Sequence, residues 1–387
     1  MQLSVIILNY NVRYFLELCL LSVQSALQNI DSEIIVVDNN SSDESCEMIK
    51  SRFPNVRLIQ NNQNLGFPKG NNIGVAQAKG KYICVLNPDT VVAEDTFEKV
   101  LAFAQNKNDL GIIGVKLIDG TGNFLPESKR GIPTPWVAFT KIVGLYKLFP
   151  KSTFFNKYYA QHISDNQTGE VEILVGAFMF LEKELYNSSG GFDEDCFMYS
   201  DDIDLSYMIL QKGKSNYYFH ETTVIHYKGE STNKDIVYMK RFQEAMEFFY
   251  KKHFQVSFLF SAFMKIGIVF FSVIKRIQGR PKAKIIPDNY LLVSGSETLV
   301  KIIAAVVQKK VYFLDWKAEK EVNLSTNSIR KGLQIILDNE FVSFKECIEI
   351  HERFRDKRVV FRIIPKGTKF SIGSDSPNDR GEIVKVK

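Results

Sequence analysis

Two apolar runs joined by one helix-length segment limit the fold of this chain more than any other feature. Leu3-Ser4-Val5-Ile6-Ile7-Leu8 leads into Asn9-Tyr10-Asn11, and Glu33-Ile34-Ile35-Val36-Val37 leads into Asp38. Neither run alternates apolar with polar residues, so each is expected to be buried on both faces, as in a parallel sheet. Between them Leu16, Cys19, Leu20, Val23 and Leu27 recur at helical spacing, which predicts a helix over 16–27 and a strand-helix-strand unit. The first run is too short to span a bilayer and lacks the basic lead of a signal peptide. Asn39-Asn40-Ser41-Ser42-Asp43 is expected to cap a helix over 44–53 and to leave backbone donors facing the crevice at the strand ends. A third cycle predicts a strand over 56–60, a Gly-Asn loop from Asn61 to Asn72, and a helix over 73–78. In that loop Gly66 and Gly70 allow close backbone approach, and Lys69 is placed to meet a phosphate.

Acidic residues then collect where strands end. Lys81-Tyr82-Ile83-Cys84-Val85 delivers Leu86-Asn87-Pro88-Asp89-Thr90, and Val224-Ile225 delivers His226. Between them, Phe197-Met198-Tyr199-Ser200-Asp201-Asp202-Ile203-Asp204-Leu205 places three carboxylates within four residues, with no Lys or Arg to compensate. Clustered acids repel one another unless a cation or a proton uses them. One Asp, one acidic cluster and one His can make a divalent-metal site with a spare carboxylate as base. Three unrelated solvated turns are the other reading of the same residues. Asp204 is expected to open a helix over 205–211, where an acid favours the N-terminal dipole whatever its other role.

The motifs Ser4-Val5-Ile6-Ile7-Leu8-Asn9-Tyr10-Asn11, Val36-Val37-Asp38-Asn39-Asn40-Ser41-Ser42-Asp43, Asn64-Leu65-Gly66-Phe67, Gly70-Asn71-Asn72, Leu86-Asn87-Pro88-Asp89-Thr90, Gly190-Gly191-Phe192-Asp193 and Asp201-Asp202-Ile203-Asp204-Leu205 follow in order. Over about residues 1–250 this series resembles glycosyltransferase family 2, in particular the rhamnosyltransferase-like branch of bacterial polysaccharide biosynthesis. The resemblance implies an α/β GT-A fold with a mostly parallel central sheet. It also implies a nucleotide-diphosphate-sugar donor, a Mg2+ or Mn2+ ion, and inversion at the anomeric carbon. Asp202 matches the family's base, with Asp201 beside it where Glu is usual. Asn87 stands where the metal motif often has Asp, which leaves Asp89 to supply the charge at the metal, with His226 as second ligand. Asn9, Tyr10, Asn11, Asp38, Asn40, Asn64, Gly66, Phe67, Lys69, Asn71, Asn87 and Asp89 are expected on the donor side. Lys129, Arg130, Gly176 and Asp204 are expected on the acceptor side, Ser128-Lys129-Arg130 being either a diphosphate contact or a solvated basic turn. Gly176-Ala177-Phe178-Met179-Phe180 reads as a strand entering the acceptor pocket or as core.

The remainder of the chain differs in charge. Residues 251–387 hold 26 Lys+Arg against 14 Asp+Glu, a balance of +12, so the first 250 residues carry −7 of the overall +5. No helix-turn-helix, zinc-finger or RNA-binding aromatic pattern accompanies the basic half, so nucleic acid is not expected as a partner. Residues 256–274 are apolar except for Lys265 and a stripe of Ser257, Ser261 and Ser272, and Lys275, Arg276, Arg280, Lys282 and Lys284 follow. That pattern predicts a helix lying on an anionic membrane surface, with a spanning helix and a buried core helix as the alternatives. The expected division is 1–250 as the GT-A domain, 251–284 as the membrane-associating segment, and 285–387 as a small α/β module. In that module, strands are expected at 290–293, 311–314 and 359–364, and helices at 297–308 and 343–353. The five cysteines show no paired spacing and read as free thiols in a reducing compartment. The expected protein is cytoplasmic and peripheral on the inner membrane face, with a lipid-linked or oligosaccharide acceptor. The rivals are a sugar-phosphate nucleotidyltransferase and an inactive glycan- or membrane-binding module.

Overall fold

The computed structural model describes residues 1–134, 136–137, 158–228, 236–254, 287–318, 332–356, 358–375 and 381–386. In the N-terminal part, strands β1 (Leu3–Asn9), β2 (Ser32–Asp38), β3 (Arg57–Gln60) and β4 (Tyr82–Leu86) are parallel and lie in the order β3-β2-β1-β4. The sheet continues through β8 (Phe178–Glu182), β6 (Leu110–Ile118), β9 (Ser215–His226) and β5 (Thr90–Val91), while β7 (Gly169–Val171) also pairs with β9. Both faces are covered. Val5 and Ile7 of β1 pack into one apolar cluster with Leu16, Leu20 and Phe97, and Ile6 packs into another with Val75, Leu205 and Tyr218. This two-sided burial is what unalternating apolar strands require. Strand order reverses between β1 and β4, so their carboxyl ends, Asn9 and Leu86, flank a crevice of the kind that holds ligands in open α/β sheets.

Three helices begin earlier than the sequence pattern predicts, the one expected at 16–27 starting at Arg13. The helix expected at 73–78 spans Phe67–Gln77, with Pro68 in its first turn, so Lys69, Gly70, Asn71 and Asn72 are helical rather than loop residues. Proline has no N–H to lose at that position and its fixed φ suits a helix start. Gly66 precedes this helix at φ +82°, and a Cβ there would come within 2.8 Å of the Phe197 carbonyl oxygen. The helix expected at 205–211 spans Asp201–Gln211, so all three acids lie in its first turn, where the dipole favours negative charge.

A second sheet follows in the order β11-β10-β12-β13-β14-β15, from β10 (Asn289–Ser294), β11 (Val311–Asp315), β12 (Leu333–Asp338), β13 (Val359–Ile364), β14 (Phe370–Gly373) and β15 (Glu382–Lys385). The first four strands in that order are parallel and the last two antiparallel. The Phe344–Arg353 helix joins the two sheets. Ser343 and Glu346 form its capping box, and Glu94 accepts from the backbone N–H groups of Phe344 at 2.7 Å and Lys345 at 2.9 Å. Phe344, Cys347, Ile348 and Ile350 share one cluster with Phe15, Leu18, Val91, Ile118, Ile225 and Tyr227 of the first part and with Val293, Ile335 and Phe361 of the second. The expected segment at 256–274 and its basic cluster lie outside the described residues. No helix among the described residues is long and apolar enough to cross a membrane.

Candidate functional site

The turn after β4 and the end of β9 meet because β5 pairs antiparallel with β9, Thr90 opposite His226. Asp89 and His226 are both buried, and Asp89 Oδ1 lies 3.5 Å from His226 Nε2. Asn87 Nδ2 is 3.3 Å from the same ring nitrogen. The Lys228 backbone N–H donates to Asp89 Oδ2 at 3.0 Å, and Lys228 Nζ pairs with Glu127. Burial pushes the Asp89 carboxyl up, but His226 and the backbone N–H groups of Asp89 and Lys228 outweigh it and hold the group below the usual carboxylate range. No cluster of three His, Cys, Asp or Glu side chains able to hold a metal occurs among the described residues. Asp89 and His226 therefore offer two converging donors. That set fits a hard divalent ion that completes its shell with substrate phosphates and water, as Mg2+ commonly does.

The acidic cluster docks beside this turn. The Asn87 N–H donates to the Ala177 carbonyl at 3.0 Å, and one residue earlier the Gly176 N–H donates to Asp202 Oδ2 at 3.1 Å. The dipeptide Gly176-Ala177 thus ties the Asn87 turn to the Asp201–Gln211 helix. A Cβ at Gly176 would meet Asp202 Cβ at 3.4 Å, Phe67 Cζ at 3.5 Å and Asp201 Oδ2 at 3.7 Å. Phe67 belongs to the same junction, since its N–H donates to the Phe197 carbonyl at 3.1 Å. Asp202 Oδ2 also accepts from Arg130 Nη2 at 2.5 Å, and its Oδ1 has no donor among the described residues. Burial, then the neighbouring Asp202, push Asp201 up to about 7. Burial alone would loosen the Arg130 proton, but Asp202, with Tyr158 and Glu127, outweighs it and raises the guanidinium above its ordinary value.

The donor-side residues divide by exposure. Tyr10, Asn11, Asn40, Asn64 and Lys69 are exposed, Lys69 with its Nζ 3.8 Å from Glu194. Asn9 and Asp38 are instead buried: Asn9 Nδ2 donates to Asp38 Oδ1 at 2.7 Å, and Asp38 Oδ2 accepts from the Ser41 N–H at 2.8 Å. They shape the loop after β2 from inside. Asn64 Oδ1 accepts from the Gly66 N–H at 3.0 Å and from Asn39 Nδ2 at 3.2 Å, and buried Asn71 donates to the Phe67 carbonyl at 2.9 Å.

Two acceptor-side expectations fail on geometry. Asp204 is fully buried, with its oxygens bonded to Lys252 Nζ at 2.8 Å and His253 Nε2 at 2.5 Å, so it anchors the Ile236–His253 helix and does not face a ligand. Lys129 is buried and donates to the Ile163 carbonyl at 2.7 Å, with Asp165 3.5 Å away, so it is not a solvated turn residue and its ammonium is engaged within the fold. Arg130 is likewise buried against Asp202. Glu127 and Lys228, which the sequence reading passed over, bridge the two clusters, and their nearness in sequence to Arg130 and His226 was the available signal.

In a chain with a two-sided α/β sheet, acids at its carboxyl ends and a histidine brought to them from a distant strand, residues 4–189 match the model of glycosyl transferase family 2. With the named relatives, that match over just under half of the chain marks it as a glycosyltransferase. It is 25% identical over 244 residues to the N-acetylglucosaminyl-diphospho-decaprenol L-rhamnosyltransferase of Mycobacterium tuberculosis, covering 60% of this chain and 78% of that one. Among solved structures it is similar to TarS of Staphylococcus aureus, at 15% identity and TM-score 0.44, over 71% of this chain and 43% of that chain. A mannosyltransferase of Pyrobaculum calidifontis in complex with GDP-Man and Mn2+ aligns at 14% identity and TM-score 0.47, over 72% of this chain and 75% of that one.

Proposed function

We propose that the chain moves a sugar, with inversion, from a nucleotide-diphosphate donor to a hydroxyl of a bacterial cell-wall or surface-polysaccharide acceptor that is lipid-linked or an oligosaccharide. The observation that carries this reading is the Gly176-Ala177 dipeptide, which fastens the Asn87-Pro88-Asp89 turn on one side and Asp202 on the other. Donor charge and acceptor proton are then handled at adjoining positions. The acceptor oxygen bonds to the anomeric carbon as the bond from that carbon to the diphosphate oxygen breaks. The electron pair leaves with the diphosphate, and the acceptor proton passes to Asp202 Oδ1. A Mg2+ or Mn2+ ion held by Asp89 Oδ1 and His226 Nε2 would supply positive charge to the departing diphosphate. Tyr10, Asn11, Asn40, Asn64 and Lys69, exposed around the crevice, are assigned to the donor. The similarity to a relative named for a decaprenol-linked substrate supports a lipid-linked acceptor. The apolar stretch 256–274 and its basic cluster support a place on the inner face of the cytoplasmic membrane. Division at about residues 250 and 285 into a transferase domain, a membrane segment and an α/β module belongs to the same proposal.

The test is a panel of sugar nucleotides with purified protein, reading released nucleoside diphosphate and glycosylated acceptor. Asp202→Asn is expected to lower turnover by on the order of 10²-fold or more with donor binding nearly unchanged. Near wild-type transfer by that variant would remove Asp202 as the base. Pyrophosphate released from a nucleoside triphosphate and a sugar phosphate would favour a nucleotidyltransferase instead. Donor binding without turnover on any acceptor would favour the inactive binding module.

A further inference from the structure

We propose that Arg130 is a positioning residue for the transfer reaction, holding Asp202 by one oxygen so that the other faces the acceptor. This rests on the reading of Asp202 as the base. Arg130 is held in place from several sides. Its backbone N–H donates to the Ile173 carbonyl at 2.9 Å, and the Ile173 N–H donates back to its carbonyl at 2.9 Å. Its Nη2 donates to the Leu174 carbonyl at 3.1 Å as well as to Asp202 Oδ2 at 2.5 Å. With 9% of its surface exposed, it is a fixed part of the wall behind the acidic helix.

Asp202 gains both orientation and charge balance from this arrangement. A carboxylate on an isolated side chain turns about its last bond, and either oxygen can face the substrate. Here two donors from different segments, Arg130 Nη2 and the Gly176 N–H, converge on Oδ2 and fix that rotation. Oδ1 is left as the proton acceptor. Asp201, beside it on the helix, has no cation bonded to it among the described residues, so one guanidinium serves two adjacent acids. Glu127, three residues before Arg130, faces the guanidinium as well and pairs with Lys228, whose backbone N–H reaches Asp89. The segment from Glu127 to Arg130 is therefore a strap: one end is tied to the strand end carrying His226, the other to the base.

The experiment is a double-mutant cycle on the full chain, with Arg130→Met, Asp202→Asn and the pair, reading kcat, donor KM and donor affinity by calorimetry. Arg130→Met is expected to lower kcat by about 10-fold or more while donor affinity stays as in wild type, since a base displaced by about an ångström costs rate and not binding. The double variant is expected to be no slower than Asp202→Asn alone, because Arg130 acts through Asp202. Arg130→Lys keeps the charge but is shorter and lacks the planar guanidinium that carries Nη2 to both Leu174 and Asp202, so it is expected to recover only part of kcat and to serve if Arg130→Met does not fold. Guanidinium ion added to Arg130→Ala is expected to restore part of the rate. A fall in donor affinity with kcat intact would make Arg130 a diphosphate contact and overturn the proposal. Additive losses in the cycle would overturn it too. Wild-type transfer by Asp202→Asn, by contrast, would sink the base assignment itself.

Discussion

Acidifying the protein is expected to loosen the Phe344–Arg353 helix from both surfaces it joins, through His351. That ring is fully buried, donates from Nδ1 to the Cys347 carbonyl at 2.7 Å, and stacks on Phe361 at 4.2 Å between centroids. Its Nε2 has no partner among the described residues. A proton added there would be a buried donor with nothing to accept it, so burial pushes the imidazole from 6.5 down to about 4. The unfolded chain takes up this proton below pH 6.5 and the folded chain only below about 4, so stability falls as pH drops through that window and is unaffected above it. The full effect is about 3 kcal/mol. Urea unfolding followed by the fluorescence of Trp316, buried in the same cluster, measures it. Between pH 7.5 and 4.5 wild type is expected to lose about 2.5 kcal/mol more than His351→Leu loses, whatever that substitution costs at neutral pH. Parallel pH dependences for the two proteins would refute the argument.

Gly122 lies at the same junction with φ +80°, and a Cβ there would overlap the His351 carbonyl, so Gly122→Ala is expected to destabilise by about 1–3 kcal/mol in thermal melts. Asp201, held at about 7 against an ordinary 3.8, keeps its proton in the folded chain long after the unfolded chain has lost it. Stability from this group therefore declines as pH rises from about 4 through about 7, and Asp201→Asn is expected to be relatively more stable than wild type at pH 8 than at pH 5 in the same melts. Asp89→Ala is expected to abolish the metal-dependent part of donor binding, and equal calorimetric affinity with and without EDTA in wild type would argue against a metal there. Changing Lys275, Arg276, Arg280, Lys282 and Lys284 together to Gln is expected to release the protein from anionic vesicles, at about 1 kcal/mol per lost charge. Wild type that never binds vesicles would defeat the membrane reading.

The parallel core was legible because β1, β2 and β4 are buried on both faces and carry that fact in their composition. The Phe67–Gln77 helix was not, because Gly70, Asn71 and Asn72 are poor helix formers; packing overrides propensity where Gly70 lets the helix lie against Leu8. In the second sheet β12 has an apolar run as plain as the others, and the sequence reading missed it, whereas β14 and β15 are four-residue strands with no such signal. At the site, strand ends and acidic motifs located Asp89, His226 and Asp202. What the sequence could not show was pairing across distance. Arg130 and Asp202 are 72 positions apart, and a basic turn reads the same whether its charge meets water or a buried carboxylate. Asp204 misled for the same reason, its partners lying 48 and 49 residues further on.

The cluster that joins the two sheets decides how small a working piece of this protein can be. The family match ends at residue 189, before the acidic helix and before His226. A fragment stopped there would keep Asp89 and the donor-side residues but lose Asp202 and His226, the base and the second group assigned to the metal. One stopped at residue 254 would keep those groups but strip the Phe344–Arg353 helix from Phe15, Ile225 and Tyr227, leaving a greasy patch directly behind the strand end that holds His226. Such a fragment is expected to aggregate on expression. Swapping the C-terminal module between related enzymes would meet the same obstacle unless the facing residues of both partners were exchanged together.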